Sequence, residues 1–225
     1  MASTSRIDDA FQRAESMHLQ AGTEISACDP MLISATITPI KNALFRHRAT
    51  SIVLVCASVE QYVRDVFVAV SEAVATHEVC RIRSSVLSVC LEDKFQSVMD
   101  SRKRSRAIKA RTALLQGGLE STMCPPLINP FAGGKTIGEA EGLLIFEVFG
   151  IAHPSYIEWP LTTRKKFQSL AIKRNSIAHG NEDALHLGRS MPLADIVGLV
   201  ECSYLTLIMM QLKFSEYLKH DRFLR

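Results

Sequence analysis

The sequence predicts an all-α fold, an up-and-down helical bundle. Apolar residues recur at spacings of three and four in nearly every long segment, whereas the alternating pattern of a half-buried strand is rare. Two long apolar stretches, residues 41–77 and 191–219, are apolar on more than one side and therefore predict central helices. With 225 residues, of which 47% are hydrophobic, the chain can bury one sizeable core. We expect a single domain spanning residues 1–225.

The bundle core is expected over about residues 41–100 and 139–220, separated by a surface excursion. Residues 117–138 are rich in glycine and proline and predict that excursion. Breaks are also expected at Asp29-Pro30 and at His153-Pro154, and a polar loop over residues 181–190. The remaining helices are expected over residues 7–20, 79–100 and 139–151, and from Thr162 or Thr163 to Gly180.

The stretch from Phe167 to Gly180 carries the most information about function. Its packing stripe contains one cation, Arg174, which needs an anion or water because an unpaired guanidinium is costly to bury. Asn175 and His179 are four residues apart on the flank beside Arg174. Gly180 suits the left-handed position that ends a helix. The pattern therefore predicts a cation, an amide and an imidazole gathered at one helix end.

The segment Arg174-Asn-Ser-Ile-Ala-His179 resembles the Arg-X4-6-His motif of the HEPN superfamily. The resemblance is nearest to the RiboL-PSP-type branch, whose first core helix is similar to residues 57–67. It implies a HEPN-like bundle that dimerises and acts as a metal-independent endoribonuclease, with no cofactor. It also implies that Arg174, Asn175 and His179 of two subunits form the catalytic site.

Glu60 is a carboxylate on a packing face of the first long helix. It is expected to form an ion pair with Arg64, or to hold Arg174 in place. A further alternative is that it orients Arg174 for catalysis.

Basic residues cluster between Arg102 and Arg111. Such a run attracts phosphates through charge and counterion release, although it is also typical of a solvated helix face. No aromatic residue interrupts it, so it predicts no reading of base sequence. The candidate RNA-binding residues are Arg102, Lys103, Arg104, Arg106 and Lys173.

Other chemistry has little support in the sequence. Gly133-Gly-Lys-Thr136 imitates the end of a P-loop, but position 129 is Asn where that motif needs Gly. The six cysteines lack metal-ligand spacing, and no metal site is predicted. A second Arg-X4-His match, Arg13 to His18, lies in a polar segment, where His18 is expected to be a surface or packing residue.

A rival function is a catalytically silent HEPN-like bundle that binds a protein or RNA. A toxin or defence effector, neutralised by an antitoxin or another regulatory partner, would be a biological context for the nuclease. No signal peptide precedes the apolar segments, and charges interrupt residues 51–70 and 196–212. The expected location is the cytoplasm, with no membrane association.

Overall fold

A computed structural model describes residues 2–90, 123, 124, 126, 127, 129 and 136–225. Within these residues the regular structure is helical, which confirms the predicted all-α class, and one isolated antiparallel bridge joins Ile82 to Leu224. The α-helices are α1 (Ala2–Ser34), α2 (Thr38–Ala75), α3 (Ser84–Cys90), α4 (Glu139–Phe149), α5 (Leu161–Ala178), α6 (Ala184–Ser190) and α7 (Leu193–Lys219), and a 3-10 turn covers Val79–Arg81.

Helix α1 is much longer than the predicted helix over residues 7–20. It continues through Pro30 to Ser34, so the expected break at Asp29-Pro30 is wrong. Proline removes a single backbone hydrogen bond when it lies in the last turns of a helix. The buried face formed by Ala21, Ile25 and Cys28 packs against α2 and outweighs that loss, because tertiary packing supplies most helix stability.

Helix α2 is the central element, as the sequence predicts. Both of its apolar stripes are buried, and it contacts α1, α5, α6 and α7. The ion pairs Arg13–Asp65 and His47–Glu24 show that α1 and α2 run in opposite directions. Glu60 lies on this helix and is buried.

Two hydrophobic clusters fill the interior of the described structure. The larger one contains Trp159, Phe146 and Phe149 of α4, and Phe214 and Tyr217 of α7. The smaller one joins α1, α2, α5 and α7 around Leu170, with Ile177 packed against it. The second half of α5 is therefore held by the smaller cluster.

The segment 181–190 is not a polar loop. Asp183 caps a short helix, α6, by accepting a hydrogen bond from the Leu185 N–H at 3.1 Å. Gly188 brings α6 against the α2 backbone: a Cβ at this position would lie 2.0 Å from the Phe45 carbonyl oxygen. The buried Arg48 of α2 donates to the Met191 carbonyl at 2.6 Å, just after α6 ends. Both contacts tie the chain that follows α5 to α2.

Three other predicted boundaries also change. Helix α4 ends at Gly150, which has a left-handed φ of 65°, before the expected stop at His153-Pro154. Helix α5 starts directly after Pro160, and Thr163 is buried, so neither threonine caps it. The predicted helix over 79–100 is a 3-10 turn followed by α3 as far as Cys90, and residues 91–100 lie outside the described residues.

Helix α7 has the length and composition of a membrane-spanning helix. Half of its apolar 18-residue stretch is buried inside the protein. Core helices of soluble proteins share these properties. Helix α7 packs antiparallel to α5. Just before α5 begins, Glu158 contacts Lys213 and Trp159 contacts Thr206, both in the second half of α7. Near the end of α5, Lys173 shares a cleft with Asp195, at the start of α7.

We expect Gly188→Ala to destabilise the protein by about 1–3 kcal/mol, because the added methyl group cannot avoid the α2 backbone. Gly22→Ala is the matched control in α1: its Cβ would meet Val200 at an ordinary 3.6 Å, so the change should stabilise by about 0.5–1 kcal/mol. Urea unfolding measures both. Equal effects of the two substitutions would contradict the close approach of α6 to α2.

Candidate functional site

The motif residues lie at the C-terminal end of α5, where the sequence places them. The helix ends at Ala178, His179 is its C-cap, and Gly180 follows with a φ of 68°. The Asn181 N–H donates to the Ser176 carbonyl at 2.9 Å and closes the end of the helix. The predicted glycine termination is confirmed, and the His179 side chain is exposed there.

Arg174 is held by two side chains. Its Nη2 lies 3.3 Å from Glu60 Oε2, and its Nη1 donates to Asn175 Oδ1 at 3.3 Å. The Glu60 and Arg174 side chains are only 8% and 17% exposed. Of the three expectations for Glu60, the structure supports contact with Arg174. Arg64 is exposed and donates to Gln61.

The ion pair leaves hydrogen-bonding capacity unused. Glu60 Oε1 and Arg174 Nε are buried and have no hydrogen-bond partner among the described residues. Each Nη nitrogen carries two hydrogens, and each makes one hydrogen bond to a described residue. The Arg174 guanidinium group therefore keeps donors that no described residue uses.

Thr136 is a member of the site that the sequence did not reveal. Its hydroxyl donates to Asn175 Oδ1 at 2.5 Å, and its side chain is buried. The Gly133–Thr136 pattern imitates the end of a P-loop, and nothing in it indicates a contact with a residue 39 positions away. The polar chain therefore runs from Thr136 through Asn175 and Arg174 to Glu60.

The segment that carries Thr136 is fixed to α5 at a second point. Gln168 Oε1 accepts the Glu139 N–H at 2.8 Å, at the start of α4. Gln168 and Asn175 are seven residues apart, so they lie on one face of α5, two turns from each other. This face of α5 orders the start of α4 and, with it, Thr136.

Burial controls the electrostatics of the site. It raises the pKa of Glu60 above its ordinary value, whereas the Arg174 and Arg64 guanidinium groups lower it in part. Burial, together with the nearby Glu60, also raises the pKa of Cys56 to about 12. Cys56 therefore remains a thiol and contacts the Leu170 carbonyl at 3.8 Å, so it serves packing and not catalysis.

The other predicted residues are only partly placed. Lys173 is half-buried and lines a cleft of about 290 Å³ with Lys166, Ser169 and Asp195. Arg102, Lys103, Arg104 and Arg106 lie outside the described residues. No cluster of three metal-ligating side chains occurs in the part of the chain that the structure describes.

The second Arg-X4-His match is structural. His18 is 2% exposed, with Nε2 at 2.9 Å from the Val200 carbonyl and Nδ1 at 3.2 Å from Ser58 Oγ. Arg13 pairs with Asp65 on the surface. The packing alternative for His18 is confirmed, and the surface alternative is wrong.

Comparison with known proteins adds no assignment. No family model, no curated protein and no solved structure matches this chain.

We expect the stability conferred by Glu60 to fall as the pH rises. Its folded-state pKa lies above the 4.5 of a free glutamate, so the folded protein holds the proton more tightly than the unfolded chain does. The contribution is complete below the unfolded pKa and is lost as the pH passes through the folded pKa. The free energy of unfolding of wild type, relative to Glu60→Gln, should therefore be more favourable at about pH 4 than at about pH 7.

Urea unfolding of both proteins at several pH values measures this difference. Glu72→Gln, which changes an exposed carboxyl group on the same helix, provides the baseline for the loss of one charge. A difference that grows in favour of wild type as the pH rises would mean that Arg174, and not burial, dominates the ionisation of Glu60.

Proposed function

We propose that the chain is a metal-independent endoribonuclease of the HEPN type, in which two copies of an up-and-down bundle combine their motif residues. The observation that carries this proposal is the division of the motif into a fixed and an accessible part. Arg174 and Asn175 are held by Glu60 and Thr136, whereas His179 is exposed at the helix end little more than one turn away. A fixed phosphate-binding group beside an accessible proton-transfer group suits RNA cleavage.

The reaction needs three contributions. The 2′-hydroxyl is deprotonated, the charge on the phosphorane is stabilised, and the 5′-oxygen is protonated as it leaves. The imidazole of His179 can serve as a general base or a general acid. Arg174 can bind two phosphate oxygens, and Asn175 can donate a further hydrogen bond from its amide nitrogen. One imidazole cannot serve as base and acid in the same step, which favours a second copy of His179 from a homodimer partner.

Positive charge near the motif would hold the RNA backbone. Lys173 precedes Arg174 and lines a cleft with Lys166, and neither lysine makes an ion pair with a described residue. The run from Arg102 to Arg111 would add contacts to phosphates without reading bases. A toxin or defence effector in the cytoplasm, controlled by an antitoxin, is the biological role that would fit such an enzyme.

A catalytically silent bundle that binds a protein or RNA is the second candidate. It is favoured by the burial of Glu60 and of most of the Arg174 side chain, since a charge on a packing stripe needs a counterion whether or not it catalyses a reaction. In this alternative Arg174 holds α5 to α2, and His179 is an exposed helix cap.

Incubating the purified protein with tRNA and total RNA in EDTA tests the proposal. We expect cleavage products that end in a 2′,3′-cyclic phosphate. His179→Ala should reduce the rate by at least about 100-fold, which is the usual contribution of a general acid or base. Because His179 is exposed and its side chain makes no hydrogen bond or ion pair with a described residue, this substitution should leave the fold intact.

His186→Ala is the matched control, because it removes another exposed imidazole seven residues further along the chain. It should cleave at the wild-type rate. An unchanged rate in folded His179→Ala would exclude His179 as the catalyst. RNA binding without any cleavage by wild type would favour the silent bundle.

A further inference from the structure

A polar cavity lies at the C-terminal end of α7, far from the Arg174 site. Lys173 shares a cleft with Asp195 near the start of α7, and Tyr217 lies roughly 30 Å further along that helix at about 1.5 Å per residue. The cavity has a volume of about 390 Å³, within the usual range for small-molecule sites. It is lined by Arg83, Gly150, Ile151, Ala152, Lys213, Glu216, Tyr217 and Arg222.

Tyr217 lines this cavity and carries an unused hydroxyl group. The residue is 1% exposed, and its hydroxyl is buried with no hydrogen-bond partner among the described residues. Phe149, Phe214 and Phe223 surround the ring, with centroids 5.8, 6.4 and 6.2 Å away, so the ring is held in place. Burial raises the pKa of Tyr217, which keeps the phenol protonated and able to donate. A buried donor without an acceptor is costly, so an acceptor from outside the chain is expected.

Arg83 supplies free donors on the same cavity. Its Nε donates to the Leu224 carbonyl at 2.9 Å, and its backbone N–H donates to the Phe223 carbonyl at 2.9 Å. Arg225 returns a backbone hydrogen bond to the Arg81 carbonyl at 2.8 Å. These bonds fix the Nε end of the Arg83 guanidinium group, whereas its Nη1 and Nη2 have no partner among the described residues.

The other charges leave the lining positive. Arg222 pairs with Glu216, and Lys213 pairs with Glu158, which does not line the cavity. The lining carries three cations and one carboxylate; with Glu158 counted beside Lys213, Arg83 is the cation among these described residues whose charge is not compensated, a net charge of +1. This charge favours an anionic ligand over a cationic one.

We propose that this cavity binds a small phosphate-bearing molecule, with the two free Nη nitrogens of Arg83 and the hydroxyl of Tyr217 donating to the phosphate oxygens. A phosphate monoester has three terminal oxygens, which match the three donors, and its negative charge is opposite in sign to that of the lining. A carboxylate, with two oxygens, matches the three donors less well. The cavity is larger than a phosphate group and leaves room for the part of the molecule that bears it. This inference does not depend on nuclease activity.

Isothermal titration calorimetry with inorganic phosphate, AMP and acetate tests the proposal. We expect saturable binding of a phosphate probe, with acetate bound more weakly. Tighter binding of AMP would identify a phosphate monoester as the ligand, and tighter binding of inorganic phosphate would identify the free ion. Tyr217→Phe, which removes only the hydroxyl, should weaken binding about tenfold, and Arg83→Gln should weaken it at least about tenfold.

Arg81→Gln is the matched control, because Arg81 carries the same charge two residues away and does not line the cavity. It should bind the probes as wild type does. Thermal unfolding of each variant without ligand shows whether the fold is retained, and Tyr217→Phe should be at least as stable as wild type. The proposal is overturned if the folded wild type binds neither phosphate probe up to about 10 mM, where a Kd of about 1 mM would be saturated. Wild-type affinity in both cavity variants, or preference for acetate, would also overturn it.

Discussion

The ion pair between Glu60 and Arg174 is the interaction on which the motif region depends. It joins the central helix α2 to α5 across a stripe that is otherwise apolar, and it is what allows a guanidinium group to remain there. Such a pair need not stabilise the fold, because removing two charges from water costs about as much as their attraction returns. The ion pair holds Arg174 in one place. Arg174 Nε and Glu60 Oε1 still have no hydrogen-bond partner among the described residues.

Asn175 extends this ion pair into a polar chain. Its side-chain oxygen accepts hydrogen bonds from both Arg174 and Thr136, so the amide orientation is fixed and its nitrogen is directed elsewhere. Thr136 lies in the segment that leads into α4, and Gln168 binds the start of the same helix. The motif is therefore supported by two parts of the chain that are distant from it in sequence, α2 and the segment before α4, which is the usual requirement for a side chain that must keep one geometry.

The sequence predicts the features that arise from long or local patterns. Helices α2 and α7 have many turns of apolar periodicity, and Gly180 ends α5 through its own backbone freedom. Prediction from the sequence fails where packing between distant segments decides the local structure. Pro30 is a local breaker, but α1 continues because its face is buried on α2. Helix α6 is too short for a periodic signal and forms where Gly188 can approach Phe45. At the site, the need of Arg174 for an anion is evident from its stripe, whereas the contacts with Glu60 and Thr136 depend on the tertiary structure.

The short connection after α5 has both of its ends anchored. On one side the closed helix end holds Ala178, and on the other α6 is pressed against Phe45 while Arg48 binds the Met191 carbonyl. His179 is thus exposed without being carried on a long swinging arm. Its backbone is fixed, so the ordering cost on binding is confined to rotation of the imidazole side chain. Any substrate or second subunit therefore has to approach His179, because the backbone of this residue cannot move towards it.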